Sequence, residues 1–131
     1  IFDIGHGMGS FSFAVARTML ANGFMPDCIS SDVHALCIEG PAFDLLTTMS
    51  KFLSLGVPLA DVVRCATIAP AQALKRPDLG AFRPCAIGDA SLLRHETGAF
   101  DFVDSVGARL TGAHRLKAVG VVQSGVHSAC V

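Results

Sequence analysis

The chain has 131 residues, of which 51% are hydrophobic and 16% charged, with a formal charge of −1 and a mean hydropathy of +0.53. That composition excludes intrinsic disorder, and the absence of a basic block excludes a nucleic-acid footprint. No basic stretch precedes an apolar core at the amino end, no apolar run nears the ~20 residues a membrane span needs, and five cysteines (Cys28, Cys37, Cys65, Cys85, Cys130) without a CxxC pair argue for reduced cytoplasmic thiols rather than a disulfide framework or thiolate zinc knuckle.

In chain order, Ile1 to Ile4 reads as a short apolar strand, and Gly5-His6-Gly7-Met8-Gly9-Ser10 follows it. Apolar residues at Phe11, Ala14, Val15 and Met19 then predict a helix to Asn22, with Ser10 as N-cap and Gly23 as the stop. Pro26 and Asp27 turn the chain into a second strand, Cys28 to Asp32. Two strands joined by a helix form a βαβ unit with a parallel sheet. Further helices are predicted from Pro41 to Gly56, from Pro58 to Ala66 and from Pro70 to Leu74. Beyond Gly80 the texture becomes short apolar strands between glycines, at Ala90 to Leu93, Phe100 to Val103 and Leu116 to Val122, an antiparallel pattern. A boundary is therefore expected near Gly80.

A two-strand parallel sheet cannot bury both of its faces. Ile1 opens inside an apolar segment with no initiating Met, so the chain reads as a piece of a larger α/β protein. On its own it is expected to leave the inward residues of both strands, and the packing sides of the Phe11, Phe43 and Val62 helices, facing water, and so to aggregate.

Two segments could carry chemistry. In the Gly5 to Ser10 loop, Gly5, Gly7 and Ser10 fall at the three positions of a dinucleotide fingerprint, with acidic Asp32 ending the next strand. His6 in the tight turn, Ser10 in place of the third glycine and the lack of further parallel strands oppose that reading. No Lys-Ser or Lys-Thr closes the loop as a phosphate P-loop requires. The second segment is Ser30-Ser31-Asp32-Val33-His34, where a carboxylate ends a parallel strand and could ligate a divalent cation and accept a proton. His6 would share that rim. Equally, Asp32 could cap the following turn and His6 could be a satisfied loop histidine. Two donors are too few for zinc, which takes at least three from the protein. His95, His114 and His127 are too widely spaced to form a constellation and read as surface or packing residues. Ser10 and Ser12 beside His6 show no nucleophile-elbow pattern.

The stretch Phe2-Asp3-Ile4-Gly5-His6-Gly7-Met8-Gly9-Ser10-Phe11-Ser12-Phe13 resembles a segment of the amidohydrolase superfamily, in particular the dihydroorotase-like metallohydrolases of amidohydrolase/deacetylase type. Pro26-Asp27 with Ile29 to Asp32, Gly40-Pro41 with Asp44-Leu45, Met49-Ser50-Lys51, Ala66-Thr67 with Pro70-Ala71, Gly88 to Leu93, Phe100 and Asp104-Ser105 agree in order and spacing. The resemblance covers about the first 105 residues.

That resemblance implies a fold and a chemistry. It implies that residues 1–80 are the C-terminal part of an α/β (β/α)8 TIM barrel, contributing strands 7 and 8 with their helices. Residues 81–131 would add C-terminal strands of a flanking β-sandwich. Asp32 would be the strand-8 aspartate, both metal ligand and catalytic proton shuttle; His6, on the strand-7 rim, and His34 would contact substrate. The cofactor implied is Zn2+, one or two ions, with most ligands outside this chain: the strand-1 His-x-His, the strand-4 bridging residue and the histidines of strands 5 and 6 have no counterpart here. The activity implied is hydrolysis of an amide or ester in an N-acetyl or O-acetyl small molecule, with the 131 residues inactive alone. Alternatives are a cyclic-amide hydrolase, an aminoacylase, or a non-catalytic scaffold relative. Expected partners are a small-molecule substrate and, in an assembly, further copies of the chain, with neither nucleic acid nor membrane.

Overall fold

The computed structural model describes residues 1–84 and 87–130; Cys85 lies outside them. Strand β1 (Asp3–Gly5) leads into helix α1 (Phe13–Ala21) and strand β2 (Cys28–Ser30). Helices α2 (Leu45–Ser54), α3 (Leu59–Ala66) and α4 (Ile68–Ala73) follow, then strands β3 (Ala90–Val103), β4 (Arg109–Gln123) and β5 (Val126–Ala129). β1 and β2 pair in parallel, with Asp3 opposite Cys28 and Gly5 opposite Ser30. β3, β4 and β5 form a separate antiparallel sheet in that order. The expected α/β unit and the antiparallel strands after it are both present.

Helix starts differ from expectation for identifiable reasons. α1 begins two residues late, because Ser10 N donates to His6 O (3.2 Å) and closes the glycine loop as a turn of its own. Ser12 stands at the N-cap without a side-chain cap bond; the first helical amide, Phe13 N, donates instead to Asp104 Oδ2 (2.9 Å), from 91 residues away. α2 begins at Leu45 rather than Pro41, because Asp44 Oδ1 accepts from Thr47 N (2.6 Å) and is the better N-cap.

The tail strands are longer than their sequence suggested. Ala90 to Leu93 and Phe100 to Val103 are the two ends of one strand, β3, with register shifts between Leu92 and Leu93 and between Thr97 and Phe100. Irregularities of this kind interrupt the two-residue alternation, so one bent strand reads as two. β5 was not expected at all. It follows a two-residue turn in which Ser124 (φ 51°) and Gly125 (φ 78°) both have positive φ, the backbone that joins tightly paired, twisted strands.

Helix α2 fills the space between the sheets. Six consecutive residues, Thr48 to Leu53, are buried, so no face of that segment meets solvent. On one side Met49, Phe52 and Leu53 join Phe11, Phe13, Ile29 and Val62; on the other the same cluster takes in Phe102 and Leu116 from the antiparallel sheet. α2 lies so close to β4 that a methyl on Gly112 would overlap Ser54 Oγ and come within 2.7 Å of Ser54 Cβ. The apolar core is therefore continuous across Gly80. This corrects the expected exposure: Phe11, Val62, Cys28 and Ile29 are buried, because α2 and α3 pack over β2 and the β3–β4 turn closes on Phe11. Ile1, Phe2 and Phe43 do remain exposed. Cys28, Cys37 and Cys65 are buried free thiols.

Candidate functional site

Because β1 and β2 run parallel, their carboxyl ends open onto the same edge, and the loops that leave them meet there. His6 N donates to Ser30 O (3.4 Å) and Gly7 N to Ser31 O (2.9 Å), which extends the pairing just past the strands. Asp32 comes next, exposed, in the left-handed region at φ 47°, which a non-glycine residue adopts only at some cost. Its side chain lies over the glycine loop. A methyl on Gly5 would sit 3.2 Å from Asp32 Cβ, and one on Gly7 only 2.6 Å from Asp32 Oδ2. Gly7 also has φ 50°, so that position needs glycine for both conformation and space. The carboxylate rests on bare backbone.

His34 shares the turn after Asp32 and is exposed. The turn is tied from inside by Cys37, whose Sγ accepts from His34 N (3.3 Å) and whose thiol donates to Asp32 O (3.7 Å). His34 Nδ1 accepts from Leu36 N (3.3 Å), leaving the other edge of the ring outward. Asp32 and His34 are therefore two side chains of one short turn.

His6 is elsewhere. It is fully buried, stacked on Phe11 with ring centroids 4.8 Å apart, and both ring nitrogens are engaged within the chain. Nδ1 lies 2.9 Å from Gly7 O and Nε2 lies 2.7 Å from Lys51 Nζ. An ammonium only donates, so Nε2 accepts and the proton sits on Nδ1, donated to Gly7 O. Burial, with the Lys51 charge adding to it, pushes the imidazole below its ordinary range despite the Gly7 bond, which keeps it neutral.

Lys51 is the residue that reading the sequence missed. Its ammonium donates to His6 Nε2, Pro41 O and Val103 O, each at 2.7 Å, so all three of its protons are taken. Burial lowers its pKa to about 8, with Asp104 opposing the shift. Three distant segments converge on one nitrogen. The signals in the sequence were its place in Met49-Ser50-Lys51, one of the blocks that carry the resemblance, and its apolar neighbours Met49, Phe52 and Leu53 on a helix bound for the core.

Asp104 is a second buried charge beneath the rim. It accepts from Phe13 N, from Val106 N (3.0 Å) and from Ala108 N (2.8 Å). Burial alone would raise its pKa, but the three amides and Lys51 outweigh that and hold it below the usual carboxylate range. Ser105 adds a clasp, donating to and accepting from the backbone of Phe11. The β3–β4 turn thus caps α1 from outside the helix.

Among the described residues no three His, Cys, Asp or Glu side chains stand close enough together to hold a metal ion. The donor set at the rim fits one carboxylate ligand, Asp32, and no complete metal site. His95 and His114 pack against each other across β3 and β4 with ring centroids 4.7 Å apart, away from any third donor. No helix among the described residues is long and apolar enough to cross a membrane.

No protein-family model matches the chain. Curated relatives do: the chain is 47% identical over 73 residues to a deacetylase of Agrobacterium fabrum, covering 56% of this chain and 18% of that protein. It is 39% identical over 103 residues to a deacetylase of Brucella anthropi (79% and 24%) and 29% identical over 126 residues to one of Enterococcus faecalis (95% and 34%). The chain thus spans about a third or less of the curated relatives it matches. Among solved structures, an adenine deaminase superposes with a TM-score of 0.96 at 28% identity, covering 99% of this chain and 36% of that one. A dihydroorotase superposes with a TM-score of 0.87 at 32% identity, covering 98% and 34%. The two structural likenesses reach across both sheets and the helices between them, so the chain is similar throughout to a deaminase and a dihydroorotase and, by sequence, to deacetylases, in keeping with the amidohydrolase resemblance of its glycine loop and Ser-Ser-Asp turn.

Proposed function

We propose that the chain forms the C-terminal part of a metal-dependent amidohydrolase that removes an acetyl group from an N-acetyl or O-acetyl small molecule in the cytoplasm. In this reading β1 and β2 are strands 7 and 8 of a (β/α)8 barrel, and β3 to β5 belong to a flanking β-sandwich. The observation that carries it is the Asp32 carboxylate, exposed at the joint carboxyl end of two parallel strands, where active sites of such folds collect. The deacetylase relatives supply the choice of acyl group.

A divalent cation, zinc by the family resemblance, would polarise the acyl carbonyl and make water acidic enough to attack it near neutral pH. Asp32 would contribute one ligand, with the remaining donors supplied from outside the described residues. One Oδ of Asp32 takes the proton of the attacking water and then returns it to the leaving nitrogen or oxygen, so no net proton remains on the protein. His34, on the same turn with one ring edge outward, would contact the substrate. Lacking the other ligands, the 131 residues by themselves are expected to be inactive.

The likeness to a dihydroorotase favours a second reading, hydrolysis of a cyclic amide, which uses the same proton transfer. The test is Asp32→Asn in the intact zinc-loaded protein, assayed for acetate release from N-acetyl and O-acetyl compounds and for ring opening of cyclic amides. The amide keeps the shape while losing charge and basicity, so kcat should fall by roughly 10³-fold or more. The unfolding midpoint should barely move, because Asp32 is exposed. A variant within tenfold of the original would overturn the assignment.

A further inference from the structure

We infer that Lys51 and His6 are positioning residues for Asp32, acting through the backbone of Gly7. This rests on the proposed role of Asp32 and adds to it the device that fixes the carboxylate.

Asp32 Oδ2 lies within van der Waals reach of Gly7, so a shift of that backbone moves the surface on which the carboxylate rests. Gly7 is held from two sides. Its amide donates to Ser31 O at 2.9 Å, and its carbonyl accepts from His6 Nδ1 at 2.9 Å. His6 cannot turn away, because its other nitrogen accepts from Lys51 Nζ at 2.7 Å and its face is stacked on Phe11. Lys51 is itself fixed by Pro41 O and Val103 O. A rigid line of hydrogen bonds therefore runs from the antiparallel sheet, through a buried lysine and a neutral histidine, to the glycine under the carboxylate. Misplacing a reacting group by about 1 Å can cost on the order of 10²-fold in rate, so a device of this kind is worth more to turnover than to substrate affinity.

Two substitutions separate the halves of the line. In His6→Gln the amide oxygen takes the place of Nε2 and still accepts from Lys51, but nothing donates to Gly7 O. In His6→Asn the amide nitrogen takes the place of Nδ1 and donates to Gly7 O, but falls short of Lys51. In the intact zinc-loaded protein, with N-acetyl and O-acetyl compounds as substrates, His6→Gln should remain folded with a modestly lower melting temperature while, below its melt, kcat falls about tenfold or more and KM stays within about threefold. His6→Asn should melt at a lower temperature and, below its melt, lose kcat by a smaller factor than His6→Gln, because its donor still reaches Gly7 O but is no longer fixed by Lys51. A folded His6→Gln protein with unchanged kcat overturns the inference. An independent readout is the 15N spectrum of the labelled histidines at neutral pH. His6 should appear as the Nδ1–H tautomer with Nε2 unprotonated, whereas an Nε2–H tautomer or an imidazolium breaks the line at its centre and overturns it. Asp32→Asn separates the two claims. If it is inactive while His6→Gln is fully active, positioning fails alone; if it is active, the reading of Asp32 fails as well.

Discussion

The rim that carries Asp32 and the junction around Lys51 lie at opposite ends of the same hydrogen-bonded line, and they treat charge in opposite ways. At the rim a carboxylate is exposed on bare glycine backbone, in a left-handed conformation. At the junction an ammonium is fully buried and each of its protons has an acceptor. An exposed carboxylate stays solvated and costs the fold little. A buried ammonium is tolerable only when its donors are satisfied, since an unpaired charge in the interior is strongly destabilising. The difference teaches what solvent decides: the rim carboxylate keeps its water, while the junction ammonium has exchanged water for three fixed protein acceptors.

The largest effect expected is at the junction. Lys51→Met keeps the length and apolar stem but leaves His6 Nε2, Pro41 O and Val103 O without a donor, and should cost about 3–5 kcal/mol in denaturant unfolding. A loss below about 1 kcal/mol would mean that the buried acceptors had found water.

Asp104 comes next. Asp104→Ala strips the acceptor from Phe13 N, Val106 N and Ala108 N, and should cost about 2–3 kcal/mol by the same measurement. The two buried charges should also differ in pH dependence. Asp104 has a lowered folded-state pKa, so its stabilisation is present above the ordinary carboxylate range and is lost as pH falls through the folded value. Lys51 is also lowered, to about 8, but it is a cation. Between about pH 8 and its unfolded value the unfolded chain binds the extra proton, so the Lys51 contribution to stability rises with pH. The gap in unfolding free energy between the original and Lys51→Met should therefore widen in alkali, and the gap to Asp104→Ala should narrow in acid. Opposite slopes would invert the assignment of these charges.

The smallest change in stability is expected at the rim. Gly7→Ala places a methyl 2.6 Å from Asp32 Oδ2 and strains a backbone at φ 50°, for about 1 kcal/mol of stability. Because the atom it meets is the movable end of a side chain, the carboxylate should swing away and activity should fall far more than stability. Gly9→Ala, with open space at its Cβ, is the control. Equal activity in the two variants would show that the carboxylate does not depend on its glycine bed.

Much of this was legible in the residues themselves. The βαβ unit followed from helical spacing at Phe11 to Met19 between two short apolar runs, and the rim position of Asp32 followed from its place at the end of the second. Asp44 before α2 and the Ser124-Gly125 pair are local signals of the same kind, a carboxylate N-cap and a two-residue hairpin turn. The break in β3 could not be seen, because a bulged strand loses its alternation in sequence while keeping its partner in space.

The sequence by itself determined what depends on neighbours along the chain. It set the helical and strand periods, the glycine loop whose lack of side chains admits Asp32, and the order of blocks that resembles the amidohydrolase superfamily. Only the tertiary structure decided the fate of the polar residues that look outward. His6 and Lys51 are 45 residues apart, Lys51 and Val103 are 52, and Phe13 and Asp104 are 91. A histidine ring or an ammonium has the same bonding capacity at the surface and in the core, so its own sequence context does not reveal which it will use. That is settled when α2 packs between the two sheets, excludes water from the junction, and leaves each buried donor only the acceptors that distant segments bring to it.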